Sequence, residues 1–255
     1  MHRPALAPRA LSTGALLAAL LVGCGDRTAP PTEASAKPRA PSAALPAAPP
    51  RPTAMPELLV DADGPYLDGQ RIDLAAAGGS EKLTKVVSAL PLEGKPVTLL
   101  AEKKAKIANV AAVVAELGKA GAPKVTIKTD GRDDLPKEIE VTPESRLTSP
   151  PACSVTAMVT KDLSTAVWPF GGGVGKRHRK GFAGPDLSHT GDQLKKDLAS
   201  CESTVAFFTS DENILWEMAF NLAGTIVVSD EKKKVDTLVL LREIPVAGRS
   251  VSLTK

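Results

Sequence analysis

The sequence predicts an α/β (α+β) protein of two tandem small domains, each a mixed sheet with two helices packed on one face in a ββαβαβ-like order. Short apolar runs bounded by turn residues alternate with longer segments whose apolar residues recur at helical spacing, the pattern of sheets covered by helices. The same succession occurs twice, once in residues 57–130 and once in residues 153–255. Each half is long enough to bury a small core of its own.

The first half opens with "ELLVDADGPYLDGQRIDL", in which Asp63-Gly64 between apolar stretches signals a hairpin. Ser80 offers an N-cap, and Leu83, Val86, Val87 and Leu90 follow at helical spacing until Pro91 ends the helix. "PVTLLA", residues 96–101, is a short apolar run after turn residues and predicts a buried strand. Ile107, Val110, Ala111, Val114 and Leu117 mark one face of a second helix, stopped by Gly118, Gly121 and Pro123. "KVTIKT", residues 124–129, predicts a further strand.

Residues 131–152 are polar and carry Pro136, Pro143, Pro150 and Pro151, so they read as a linker between domains. Residues 154–170 then supply strand material. Thr190 and Gln193 form a capping box ahead of Leu194 and Leu198. "TVAFFT", residues 204–209, reads as the buried strand. Leu215, Met218, Ala219 and Leu222 give the next helix face, with Gly224 near its end, and "DTLVLL", residues 236–241, closes the sheet. Set against each other, "VTLLAEKKAKIANVAAV" from Val97 and "VAFFTSDENILWEMAFN" from Val205 keep the strand-to-helix offset without a gap. Residue identity is low but the order of elements agrees, which indicates an internal duplication.

Arg3 and Arg9 precede an apolar run, residues 10–22, that is too short for a bilayer-spanning helix of ~20 residues. Residues 1–23 therefore read as a signal peptide. The run ends in Leu21-Val22-Gly23-Cys24, which resembles the lipobox of bacterial lipoproteins. That resemblance implies cleavage before Cys24 and acylation of its sulfur, with more than one chain, as stable anchoring requires. Gly25 follows, so the aspartate of an enterobacterial inner-membrane retention signal is absent and the choice between inner and outer membrane stays open. Residues 24–56 are rich in Pro and Ala with almost no large apolar residue, and cannot bury a core. They read as a disordered tether that would reach about 100 Å if fully extended, at ~3.1 Å per residue.

Loss of Arg3 and Arg9 lowers the formal charge from +3 to +1, a balance with no general attraction to nucleic acid. Export leaves Cys153 and Cys201 as candidates for a disulfide. Each precedes a predicted strand, so the two thiols meet if those strands run parallel and cannot meet if they run antiparallel. Histidines and cysteines are too sparse for a zinc spacing, and no cofactor is expected.

"GGGVGKRHRKG", residues 171–181, has the look of a phosphate cradle but lacks its spacing. Ending a G-x-x-x-x-G-K-[ST] loop on Gly175-Lys176 puts Phe170 where its first glycine belongs and Arg177 where its hydroxyl belongs. G-x-G-x-x-G also fails, reaching Lys176 from Gly171 and His178 from Gly173. The stretch reads as an enlarged strand-to-helix loop, and no nucleotide is expected. Lys176, Arg177, Arg179 and Lys180 are its candidate anion- or partner-binding residues, facing lipid headgroups, wall polymer or an acidic protein. Trp168 and Phe170 beside them read as core or as a binding platform. Asp186, Ser188 and His189 contain the residue types of a hydrolytic triad, although triads are built across a fold rather than from near neighbours. Asp211, Glu212 and Asn213 suit the positive end of the helix that follows.

Residues 57–129 resemble the periplasmic domain of the ExbD/TolR family of biopolymer-transport proteins. The matching stretches are "LLVDADGPYLDGQRIDL" and "VTLLAEKKAKIANVAAVVAELGKAGAPKVTIKT", with Ala120-Gly121 closing the helix. The second half looks like a diverged copy matched through element order. Members of that family carry a transmembrane helix with an aspartate used in proton-driven work, whereas residues 10–22 contain no acid. The resemblance implies the family's binding fold without its motor, contacting an envelope protein or peptidoglycan. The sequence thus points to a non-enzymatic lipoprotein, lipid-anchored at the cell envelope and facing the periplasm. A hydrolase using the Asp186/Ser188/His189 region and a structural membrane-to-wall spacer are the alternatives.

Overall fold

In the computed structural model the described residues are 55–254 apart from 93, 183 and 203. The signal peptide, Cys24 and nearly all of the tether lie outside them. In chain order the fold begins with a hairpin of β1 (Leu58–Asp61) and β2 (Gly64–Leu67), in which Leu58 faces Leu67 and Asp61 faces Gly64. Gly64 has φ +116°, and a Cβ there would stand 2.9 Å from the Ile72 carbonyl oxygen, so the hairpin needs glycine at this position. β3 (Gln70–Arg71) adds a third antiparallel strand.

The next helix, α1 (Gly79–Ser88), starts one residue before the expected cap: Gly78 is the N-cap, no side chain caps it, and Ser80 sits in the first turn. β4 (Val97–Ala101), α2 (Ile107–Lys119) and β5 (Val125–Lys128) follow, except that α2 runs through Gly118, which is buried against Pro143 rather than stopping the helix. Residues 131–152 depart from the expected linker, because they hold β6 (Glu138–Val141) and a 3-10 turn, Glu144–Arg146. Pro136 and Pro143 flank the strand rather than forbidding it. The sheet runs β3-β2-β1-β4-β5-β6, with β1, β4 and β5 parallel.

The second lobe repeats this plan. It comprises β7 (Val155–Val159), β8 (Thr165–Pro169), β9 (Lys176–His178), α3 (Leu187–Leu198), β10 (Thr204–Ser210), α4 (Trp216–Ser229) and β11 (Val235–Leu240). Its sheet runs β11-β10-β7-β8-β9, the order of β5-β4-β1-β2-β3. The chain is therefore an α+β protein with two mixed sheets of the same connectivity. β7 and β10 are parallel neighbours, and Cys153 and Cys201, each just ahead of one of them, form a disulfide with Cα atoms 5.9 Å apart.

Three local expectations change in this lobe. α3 begins a turn before Thr190, with Asp186 as N-cap accepting from the His189 amide. Thr190 is instead buried, its hydroxyl 2.6 Å from that of Thr165 on β8. α4 continues past Gly224 to Ser229, and Gly224 lies where the helix packs on Leu135, 3.3 Å from the position of a Cβ. Lys176, Arg177 and His178 form the edge strand β9, the counterpart of β3, so the basic stretch is only partly loop.

All described structure belongs to one compact unit, residues 49–255, and one apolar core runs through both lobes, from Leu58 and Val114 to Phe208 and Ile226. The Trp216 indole nitrogen donates to Thr129 Oγ1 at 2.8 Å, and its backbone nitrogen donates to the Ala105 carbonyl at 2.8 Å. The Thr142 amide donates to the Leu238 carbonyl at 2.9 Å, bringing the end of β6 to β11. Every residue of these cores lies within that unit, so a fragment of residues 49–255 keeps both clusters whole.

The two sheets differ in their outer faces. In the first, Thr98, Lys128, Glu138 and Glu140 are exposed or half-buried and the face is open. In the second, Met158, Trp168, Phe207, Val239 and Leu241 form a second cluster beneath the C-terminal segment, with Val251 packed into it. Trp168 donates its indole N–H to the Arg249 carbonyl at 2.9 Å, and buried Glu144 accepts from the amides of Arg242 and Thr254. Trp168 is thus core, not a platform. Phe170 stacks on Phe207 with centroids 4.5 Å apart, while Trp216 and Phe220 are fully buried.

Candidate functional site

Strand geometry divides the basic stretch. Successive side chains on β9 point to opposite faces, so Lys176 parts company with Arg177. Lys176 lines a hollow with Lys196 and Asp197. Arg177, Arg179 and Lys180 line another, of about 700 Å³, with Lys161, Asp162 and Leu163 from the β7–β8 hairpin. Lys161 escaped the sequence reading because it lies on another strand connection; only the β8–β9 pairing brings it in.

One acid sits among these cations. Asp162 accepts from the hydroxyls of Thr160 and Ser164 and from Arg177 at 2.8 Å, and these bonds hold its carboxyl far below the usual carboxylate range. It neutralises Arg177, whose Nε also donates to Ser164 at 2.8 Å. Lys161, Arg179 and Lys180 remain without a hydrogen-bonded or ionic partner among the described residues. The chain then makes a tight turn closed by the Gly181 amide donating to the Gly184 carbonyl at 2.7 Å, which leaves Phe182 wholly exposed.

An equivalent pair exists in the first lobe: Arg71 on β3 donates to Asp61 at the end of β1, and this bond holds the Asp61 carboxyl below its ordinary range. Arg71 also lies over Tyr66 at 5.4 Å. An Arg on the third strand thus clasps an Asp at the first hairpin in both lobes, a second mark of the duplication.

A larger open hollow, about 930 Å³, lies at the carboxyl ends of β4 and β5, between β1 and the start of β6. Leu59 and Leu100, register partners on β1 and β4, are its apolar floor, and Lys103, Lys104, Lys128 and Lys137 rim it with Glu102, Asp130 and Glu138. Lys103 stands 3.1 Å from Asp130, and its hydrogen bond, with the charge of Lys137, keeps the Asp130 carboxyl low. The sequence held a signal for this surface: in β4, Leu100 is apolar on the face that alternation assigns to solvent.

Of the triad residue types, Asp186 and His189 meet, with Oδ2 and Nδ1 2.7 Å apart, and the ring bond keeps the Asp186 carboxyl below its ordinary range. The His178 ring stacks 6.3 Å from that of His189. Ser188 lines a different hollow, with Arg132 and Asp134, and no hydrogen bond joins it to His189 among the described residues. The nucleophile-to-base contact of a triad is therefore not assembled here. Asp211 accepts from the Asn213 amide at 3.3 Å, closing the turn ahead of α4.

Among the described residues no group of three or more His, Cys, Asp or Glu side chains could hold a metal ion, and no helix is long and apolar enough to cross a membrane. No family model, no curated protein and no solved structure matches this chain.

Proposed function

We propose that the protein is a non-enzymatic cell-envelope lipoprotein, moored by lipid on Cys24, whose two ExbD/TolR-like lobes bind a protein or cell-wall partner as an accessory to energised biopolymer transport. The observation that supports this reading is the repeat of one sheet connectivity in both lobes, with the outer face of the first sheet left open and carrying the Leu59/Leu100 hollow. An apolar floor with a rim of mixed charge suits a partner surface. The exposed rim cations and anions give orientation, and the leucines give contact area.

Two measurements test it. Feeding cells a fatty-acid probe labels the wild-type chain, and Cys24→Ser abolishes the label. A photo-cross-linker at Thr98, beside Leu100 on the same open sheet, captures a partner from cells, and Leu100→Asp removes the adduct while leaving the fold intact. A chain that takes no lipid, or an adduct indifferent to Leu100→Asp, sinks the reading.

A further inference from the structure

We infer that the tip formed by the β7–β8 hairpin and the turn after β9 is a non-covalent membrane contact, one that takes the anionic headgroups of a lipid bilayer. The inference does not depend on acylation of Cys24 or on the partner proposed above.

The cations have the right placement. Lys161, Arg177, Arg179 and Lys180 gather around one hollow, and the only acid lining it among the described residues, Asp162, is already committed to Arg177, Thr160 and Ser164. Three positive charges are thus left for an outside anion. Near an anionic leaflet each such cation contributes an attraction that lies within a Debye length of the surface.

Phe182 distinguishes a bilayer from other anions. It is fully exposed at the head of a turn whose base is fixed by the Gly181–Gly184 hydrogen bond, 2.7 Å long, and by the approach of Gly184 to Met218. A large aromatic held away from its own core, two residues from Lys180, gains nothing in water. At an interface the ring buries apolar surface among acyl chains while the cations stay at headgroup level. A flat acidic protein would meet the cations but offer a lone projecting ring no matching cavity, whereas lipid deforms around it.

The test uses residues 49–255 and co-sedimentation with vesicles. Vesicles of equal parts phosphatidylcholine and phosphatidylglycerol should bind the protein at low salt, and pure phosphatidylcholine should not. Changing Lys161, Arg179 and Lys180 together to Ala, none of which has a partner among the described residues, should weaken binding at least ~10-fold and flatten its salt dependence. Phe182→Ala should weaken it roughly 5-fold without changing the salt dependence. Phe182→Trp should restore binding and shift its emission to the blue on vesicles, since Trp168 and Trp216 are already buried. A matching thermal transition for each variant shows that folding is unchanged. Absence of binding to anionic vesicles at low salt, or binding indifferent to all of these changes, overturns the inference. Capture of polyglutamate without capture of vesicles assigns the cations to an acidic polymer and overturns it equally.

Discussion

Trp216, the first residue of α4 in the second lobe, donates its indole N–H to the hydroxyl of Thr129, at the end of β5 in the first, and both residues are buried. Thr129→Val keeps the volume and removes the acceptor. The indole N–H then lies buried without a partner, at a cost of about 1–3 kcal/mol. Urea unfolding followed by tryptophan fluorescence should show a lower midpoint with an unchanged slope. An unaltered midpoint would mean that water reaches the indole.

The same contact bears on whether the lobes are independent. Ile139 and Val141 of β6 are buried with the first lobe, and Gly131 packs against Phe220, 3.0 Å from a Cβ position there. A fragment limited to residues 57–130 lacks β6 and opens the face that α4 covers. It should give a poorly dispersed amide spectrum and no cooperative melt, while residues 49–255 give both. A well-dispersed spectrum from the fragment would restore two self-sufficient domains.

Reduction should loosen the second lobe. The Cys153–Cys201 bridge closes a loop of sequence separation 48, worth about 4 kcal/mol through restriction of the unfolded chain. Cys201→Ser should lower the melting temperature by roughly 8–16 degrees for a chain of this size. Dithiothreitol should do the same to the wild type and nothing further to the variant.

Strand and helix positions were legible wherever the chain alternates apolar and polar faces or keeps a helical stripe, as at Leu99 and Val110. What failed depended on partners far away in sequence. Thr190 and Gln193 have the letters of a capping box, but Thr190 lies opposite Thr165 of β8, so its hydroxyl is drawn into the core and Asp186 takes the cap. The prolines around β6 read as a linker because its pairing with β5 is invisible locally. In the same way, four neighbouring cations looked like one cluster until strand alternation turned Lys176 away and hairpin pairing brought in Lys161. Leu100 was readable as an apolar residue on an outward face, but only its register partner Leu59 makes it a floor.

The reassigned cap can be checked directly. Asp186→Ala removes the side chain that accepts from the His189 amide at 3.1 Å and should cost about 1 kcal/mol. Gln193→Ala, which loses a half-buried side-chain bond to Asp197 and no cap, should cost less, about 0.5 kcal/mol. The reverse order in thermal melts would return the helix start to Thr190. His189→Ala should leave partner capture unchanged, and a hydrolytic turnover lost with it would favour the enzyme alternative.

Acid should destabilise the fold through Glu116. This residue of α2 is buried, with its carboxylate bonded to Thr84 and Lys119 and 3.5 Å from Arg242 of the second lobe. Burial pushes its carboxyl up, but the Lys119 and Thr84 hydrogen bonds, with the charges of Lys119 and Arg242, outweigh that and hold it below its ordinary value of 4.5. A carboxyl depressed in the folded state contributes stability that is complete above its unfolded value and is lost as pH falls through the folded one. Wild-type stability should therefore stay level above about pH 4.5 as far as this group is concerned, and decline below it. Glu116→Gln keeps the shape and the acceptor for Thr84 but has no charge to lose, so it should be less stable at neutral pH and should show a shallower acid decline. Paired melts of the two proteins from neutrality down to the acid limit measure the difference. Parallel curves would place the acid-sensitive contact elsewhere, with Asp61 and its Arg71 clasp the next group to change.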